Sequence, residues 1–344
     1  MRKRPLRNSR PGYPTLAEFY RPDPDQGVGI RYICLMKILL ANPRGFCAGV
    51  DRAIHIVERA LAKYGTPIYV RHEIVHNKSV VDRLRTMGAV FIEDLSEAPE
   101  GAVVIFSAHG VAEKIYVEAE GRKQKVLDAS CPLVKKVHLG AKRQNRAGSH
   151  VVLIGHAGHA EVEGTLGQLP QGEMSLVGSV ADVESLQVPA NADLAYVTQT
   201  TLSVDETREV ISALKARFPQ IKGPDKGDLC YATTNRQAAV RVLCDEVDLL
   251  LVVGASNSSN SNRLRELGSM ANVKSYLIAG PSDLQPAWFE GVKCVGLTSG
   301  ASAPEEIVQK VVAWIQSHYS VDAVESRVVM EENVRFSLPA ELEA

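Results

Sequence analysis

The chain has 344 residues, 45% hydrophobic and 23% charged, enough for two or three ordinary globular domains with a sizeable core. A formal net charge of -1 gives no basis for nucleic acid or an anionic membrane as main partner, and no apolar run reaches the length of a bilayer-spanning helix. Six cysteines are too sparse for a disulfide scaffold, so each thiol is read as a ligand, a nucleophile or a core filler.

The N-terminal stretch, residues 1–35, holds five prolines, several arginines and no clear period, and is expected to be a mobile extension. No apolar signal core follows its basic start, so a cytoplasmic location is expected; Glu18, Asp23 and Asp25 argue against an organellar transit peptide. Met36, directly before the strand-like run Lys37 to Ala41, offers an alternative start.

From there, short β-branched runs alternate with amphipathic helices, the pattern of a parallel sheet covered on both faces. The alternation falls into three units, each opening strand, cysteine, helix. The first opens with Lys37 to Ala41 and Cys47, followed by a helix from Asp51 to Lys63 and a strand from Pro67 to Val70. Its loops carry His76 and, after a strand from Ala102 to Phe106, His109. The second opens with Lys125 to Leu127 and Cys131, then a helix from Leu133 to Arg146 and a strand from His150 to Ile154. Its loops carry His156, His159 and Glu161, then Thr198 to Thr201 after a strand from Leu194 to Val197. The third opens with Asp228 to Tyr231 around Cys230, then a helix from Asn235 to Glu246 and a strand from Leu249 to Val253. Its loops run from Asn257 to Asn260 and, after a strand from Lys293 to Leu297, from Thr298 to Ser302. A helix from about Glu305 to Ser317 precedes a polar tail. The units predict three α/β domains over 36–130, 131–229 and 230–317, between the extension and a tail over 318–344. The strand within 36–47 is allowed to pack with the third domain.

Parallel α/β units place ligands at the carboxyl ends of their strands, so three such ends facing one another surround one pocket with three thiols and six polar loops. Zinc usually takes a fourth protein ligand, often from a local C-x2-C pair, and none exists here. A four-iron cluster normally takes four cysteines; with three, one iron keeps an open position and acts as a Lewis acid. Buried cysteine is common packing, and Cys34, Cys244 and Cys294, which have no counterparts between units, are read that way. The Ser- and Asn-rich run Asn257 to Asn262, opening a helix at Arg263, suits an anion, although alone it is a plain N-cap cluster. His156 to Glu161 lies in a Gly-containing loop after a strand, unlike the helical zinc-protease pattern, so its carboxyl group is read as a proton donor or relay.

The runs Asn42 to Val50, Ala129 to Pro132, Val197 to Ser203, Cys230 to Gln237 and Asn257 to Arg263 resemble the 4-hydroxy-3-methylbut-2-enyl diphosphate reductase family, from about Met36 to Ile315. A weaker match, Glu331 to Val334, continues into the tail. The resemblance implies a trefoil of three small α/β domains with pseudo-three-fold symmetry around one 4Fe-4S cluster held by Cys47, Cys131 and Cys230. It implies a diphosphate held by His76, His109, His159, Ser258, Ser259, Asn260 and Ser302, proton delivery by Glu161 with His159 beside it, and a substrate hydroxyl and water positioned by Thr200. The family loop reads His-Pro-Glu-Val-Glu-Gly; Ala160 stands at the proline, which loosens the loop without touching Glu161. The implied reaction is reductive dehydroxylation of an allylic diphosphate to isopentenyl and dimethylallyl diphosphate in a bacterial cytoplasm. The electrons are expected from ferredoxin or flavodoxin, because no G-x-G-x-x-G follows a strand. Two rival readings are a redox-neutral iron–sulfur hydro-lyase, which needs no reductant, and a non-catalytic iron–sulfur sensor, which the anion-type side chains oppose.

Overall fold

The computed structural model describes residues 35–343. Residues 1–34 of the expected extension, Cys34 among them, lie outside the described residues; Met36 is the first residue of a strand. In chain order the elements are β1 (Met36–Asn42), α1 (Ala48–Tyr64), β2 (Ile68–Arg71), α2 (Lys78–Thr86), β3 (Ala89–Ile92), β4 (Val103–Phe106), α3 (Glu113–Gly121) and β5 (Lys125–Asp128). Next come α4 (Pro132–Arg146), β6 (Ser149–Ile154), α5 (Ala160–Leu166), β7 (Met174–Val177), α6 (Val180–Ser185), β8 (Asp193–Thr198) and α7 (Val204–Arg217). The last are α8 (Tyr231–Cys244), β9 (Leu249–Val253), α9 (Ser259–Met270), β10 (Lys274–Ile278), β11 (Cys294–Ser299), α10 (Glu305–His318) and β12 (Val321–Val328).

The strands form three parallel sheets, ordered β3-β2-β4-β5, β7-β6-β8 and β10-β9-β11-β1-β12. Both faces of the sheets are covered: every residue of β6 and β9 is buried, and β9 is a continuous apolar run. Leu249, Leu251 and Val253 pack beneath α10 with Val308 and Val311, while Leu250 and Val252 pack beneath α8 and α9 with Val240, Leu243 and Leu264. Among the described residues, no helix is long and apolar enough to cross a membrane.

The sheets do not coincide with the sequence units. Each unit lends its opening segment to a neighbour. β1 pairs with β11 in the third sheet, and β5 pairs with β4 in the first. The stretch that precedes the third unit contributes a single bridge, Lys222 to Ala195, on the edge of the second sheet. The expected opening strand at Asp228 to Tyr231 therefore does not form. Gly223, Pro224 and Gly227 break the run, Pro224 lacks a ladder donor, and the Asp228 carboxylate instead accepts from the Thr198 backbone N–H at 3.2 Å. The polar stretch after α10 turns out to be a strand. β12 pairs along the whole of β1 as the sheet's edge, with alternating half-buried and exposed residues. This exchange places each cysteine where the chain leaves one sheet and enters the helix covering the next. Cys47, Cys131 and Cys230 are the N-cap residues of α1, α4 and α8.

Candidate active site

Three helix N-termini aim at one cavity, and the three thiols line it. The N–H groups at such a position favour a thiolate, but burial outweighs them here and pushes all three thiols up. Cys230 Sγ accepts from the Thr233 backbone N–H at 3.4 Å and lies 3.1 Å from Thr233 Oγ1. The Ala48 N–H, first in α1, donates to Tyr231 Oη at 3.0 Å and so ties the Cys47 and Cys230 corners together. Gly49 lets the thiols approach. A Cβ there would lie 2.7 Å from Cys131 Sγ and 3.8 Å from Cys47 Sγ. Gly49→Ala is therefore expected to displace the Cys131 sulfur and lower bound iron per chain while the protein remains folded, read by iron assay beside circular dichroism. Full iron retention would show that the sulfur moves freely. Cys244 and Cys294, read from sequence as packing residues, do not line the cavity and sit against the core between α8 and the third sheet.

All twelve residues expected at the site line this cavity: the three cysteines, His76, His109, His159, Glu161, Thr200, Ser258, Ser259, Asn260 and Ser302. His76 and His109 stack with ring centroids 4.1 Å apart, and the His159 ring meets them edge-on at 5.4 and 5.9 Å. Burial pushes all three imidazoles below their ordinary range: His76 down, His159 to about 4, and His109 well below, where repulsion from the other two adds to the effect. The shift favours the neutral imidazole at all three. An anion among them reverses the balance by favouring the charged form. Asn260 is 4% exposed, yet neither its amide N–H nor its carbonyl has a partner among the described residues, and His76 Nε2 is likewise unpaired. Buried polar atoms are rarely left so unless a ligand completes them. Ser258 caps α9, accepting from Ser261 N–H at 3.4 Å. Ser259 and Ser302 donate to the carbonyls of Thr201 and His76 at 3.2 and 3.1 Å.

Glu161 is 3% exposed near the start of α5. One oxygen accepts from the Thr200 N–H at 2.6 Å and the other from Thr200 Oγ1 at 3.0 Å. Both bonds favour the carboxylate, but desolvation outweighs them and pushes the group up to about 7. Ala160 is the first residue of α5 and His159 its cap, with Nδ1 accepting from the Glu161 N–H at 3.1 Å. Proline suits that first helical position, and alanine is fully compatible with it, so the loop geometry survives the replacement. His156, grouped with His159 in the sequence, does not line the cavity.

Two further residues stand behind the cavity wall against His76: Asn257, from the expected Ser/Asn run, and Glu73, which was not expected there. Glu73 lies 3.3 Å from His76 Nδ1, and Asn257 bridges Glu73 and His76 at 3.1 and 3.3 Å, fixing the His76 ring. Asn257 stands in the Ser/Asn run and is legible as polar; Glu73 carries no local signal.

The family model described as LytB protein matches residues 38–316. The chain belongs to the LytB family. Among relatives, the 4-hydroxy-3-methylbut-2-enyl diphosphate reductase of Zymomonas mobilis is 57% identical to this LytB-family chain over 308 residues, 90% of each. That of Haemophilus influenzae is 56% identical over 309 residues, 89% of this chain and 98% of the other. Among solved structures, the E-1-hydroxy-2-methyl-but-2-enyl-4-diphosphate reductase of Plasmodium falciparum superposes with a TM-score of 0.85 at 40% identity, covering 90% of this chain and 96% of that one. A second solved structure, described as the terminal enzyme of the non-mevalonate pathway, gives a TM-score of 0.60 at 34% identity, covering 82% of this chain and 100% of the other.

Proposed function

We propose that this LytB-family chain reduces (E)-4-hydroxy-3-methylbut-2-enyl diphosphate to isopentenyl and dimethylallyl diphosphate, in a cytoplasm, with electrons from ferredoxin or flavodoxin. The carrying observation is one cavity that joins three helix-capping thiols, three clustered histidines, a buried Asn260 side chain without a partner among the described residues and a buried Glu161. The three domains are taken to run over 36–130, 131–229 and 230–317, with β1 lent to the third.

The thiols fit a 4Fe-4S cluster. They line one shared cavity, each at the N-terminus of a different helix, an all-thiol donor set that suits iron and sulfide. Cys47, Cys131 and Cys230 would hold it, and when bound it supplies electrons one at a time and an open Lewis-acidic iron.

The protein residues do the rest. His76, His109, His159, Ser258, Ser259, Asn260 and Ser302 would bind the diphosphate through neutral donors and a helix N-terminus, and Asn260 would gain the partners it lacks. Thr200 would orient the substrate hydroxyl and Glu161 would protonate it as the C–O bond breaks. Two electrons and two protons replace C–O with C–H and release water. The test is anaerobic turnover by the iron-reconstituted protein with substrate and reduced viologen. Substrate-dependent viologen oxidation yielding both isopentenyl and dimethylallyl diphosphate is expected. Substrate loss without reductant would indicate a hydro-lyase, and no turnover at all a sensor.

Glu161 acts in its protonated form, so kcat is expected to fall as pH rises through about 7. Thr200→Val removes a bond that favours the carboxylate, so that falling limb should move to higher pH even where kcat itself drops. A limb that stays in place in the viologen assay would assign it to another group.

A further inference from the structure

Arg236, on α8, is 0% exposed, and all of its N–H donors are used. Nε and Nη2 donate to the Gly45 carbonyl at 3.2 and 2.7 Å, and Nη2 also reaches the Phe46 carbonyl at 3.3 Å. Nη1 donates to the Ala232 carbonyl at 3.1 Å and to the Glu332 carboxylate at 3.0 and 3.2 Å. Gly45 and Phe46 are the two residues before Cys47, so the guanidinium sits directly behind that corner of the site. Glu332 also accepts from Asn235 Nδ2 at 3.0 Å. It lies beyond residue 316, where the family match ends. The segment that carries it is fastened along α1: Arg52 Nε donates to the Ser337 carbonyl at 2.7 Å, Lys63 Nζ to the Glu341 carbonyl at 2.5 Å, and Leu342, 1% exposed, enters the core beside α1.

A buried guanidinium is costly unless paired, and here it satisfies the Gly45, Phe46 and Ala232 carbonyls as well as Glu332. The same arrangement places two fixed charges of opposite sign directly behind Cys47. Reducing a cluster adds one negative charge in a low-dielectric interior, where a nearby fixed cation favours the reduced form and a nearby anion opposes it.

We infer that Arg236 and Glu332 are positioning residues which hold the Cys47 loop and set the cluster's reduction potential with opposite signs. Arg236 raises the potential, and Glu332, delivered by the C-terminal segment, moderates it. The inference rests on the assignment of Cys47 as a cluster ligand.

The test is a redox titration of the anaerobically reconstituted full-length protein, followed by electron paramagnetic resonance, with iron content measured in parallel. Glu332→Gln is expected to shift the midpoint potential upward, Arg236→Gln to shift it downward, and Arg236→Lys to stay near wild type. A loop that is merely propped would lose iron in both Gln variants, or shift both potentials the same way, and either result overturns the inference. If Arg236→Gln does not fold, Glu332→Gln decides alone: an unchanged or lowered potential is fatal. A wild-type protein without any cluster would instead sink the assignment of Cys47, whereas a cluster-bearing wild type with unresponsive variants sinks only the charge-pair role.

Discussion

Serine at Cys47, Cys131 or Cys230 is expected to remove bound iron and turnover together. A hydroxyl is a poor ligand for a soft-thiolate metal site, and its proton is held far more tightly than a thiol's. The sites are already demanding: burial pushes the Cys131 thiol up to about 12 and Cys230 to about 11, and moves Cys47 in the same direction. Metal binding has to displace those protons, so a still less acidic side chain fails first. Cys244→Ser and Cys294→Ser are the controls, because neither residue lines the cavity; a half-buried hydroxyl there is expected to cost stability of about 1 kcal/mol and no iron. Iron counting and Mössbauer spectra on the five anaerobic variants make the comparison. Equal damage at all five positions would mean that packing had been mistaken for ligation.

The repeat is legible in the sequence because it is written in types of residue with few alternative uses. Cysteine directly before a helix, three times, and after an apolar run at Cys47 and Cys131, with His76, His159 and Ser258 at similar distances downstream, points to the convergence that the cavity shows. The exchange of opening segments is not legible. Apolar runs such as Lys37 to Ala41 and Lys125 to Leu127 specify strands but not the sheet they join, and a parallel pairing depends on packing from elsewhere in the chain. At Asp228 the expected strand is absent altogether, because glycine and proline cut the third opening segment to one bridge. The edge strand β12 is hidden for a related reason. Its charged alternation, with Asp322, Glu325 and Arg327 among valines, resembles a solvated tail until β1 supplies its partner. Arg236 and Glu332 both stand in runs that resemble the family, yet a helical arginine reads as a surface residue unless its burial is known.

Glu161→Gln separates binding from chemistry. Glutamine keeps the size of the side chain, and its carbonyl oxygen can still accept from the Thr200 N–H, while its NH2 group donates to a Thr200 hydroxyl that rotates to accept. The fold and the substrate position are therefore expected to persist. What disappears is a carboxylic proton that burial holds near neutral pH, at about 7. General acid catalysis is typically worth about a hundred to ten-thousand fold, and kcat is expected to fall by roughly that range with substrate affinity nearly unchanged. The contrast is His76→Ala and Ser258→Ala, which remove donors to a diphosphate present in ground and transition states alike. These should raise KM at least as clearly as they lower kcat. Steady-state kinetics with dithionite and viologen, beside a substrate titration followed through the protein's absorbance, distinguish the two classes. A Glu161→Gln variant that kept wild-type kcat would move the proton source elsewhere, to a water beside Thr200 or to the substrate's own diphosphate. The falling limb near pH 7 would then have to survive the same substitution.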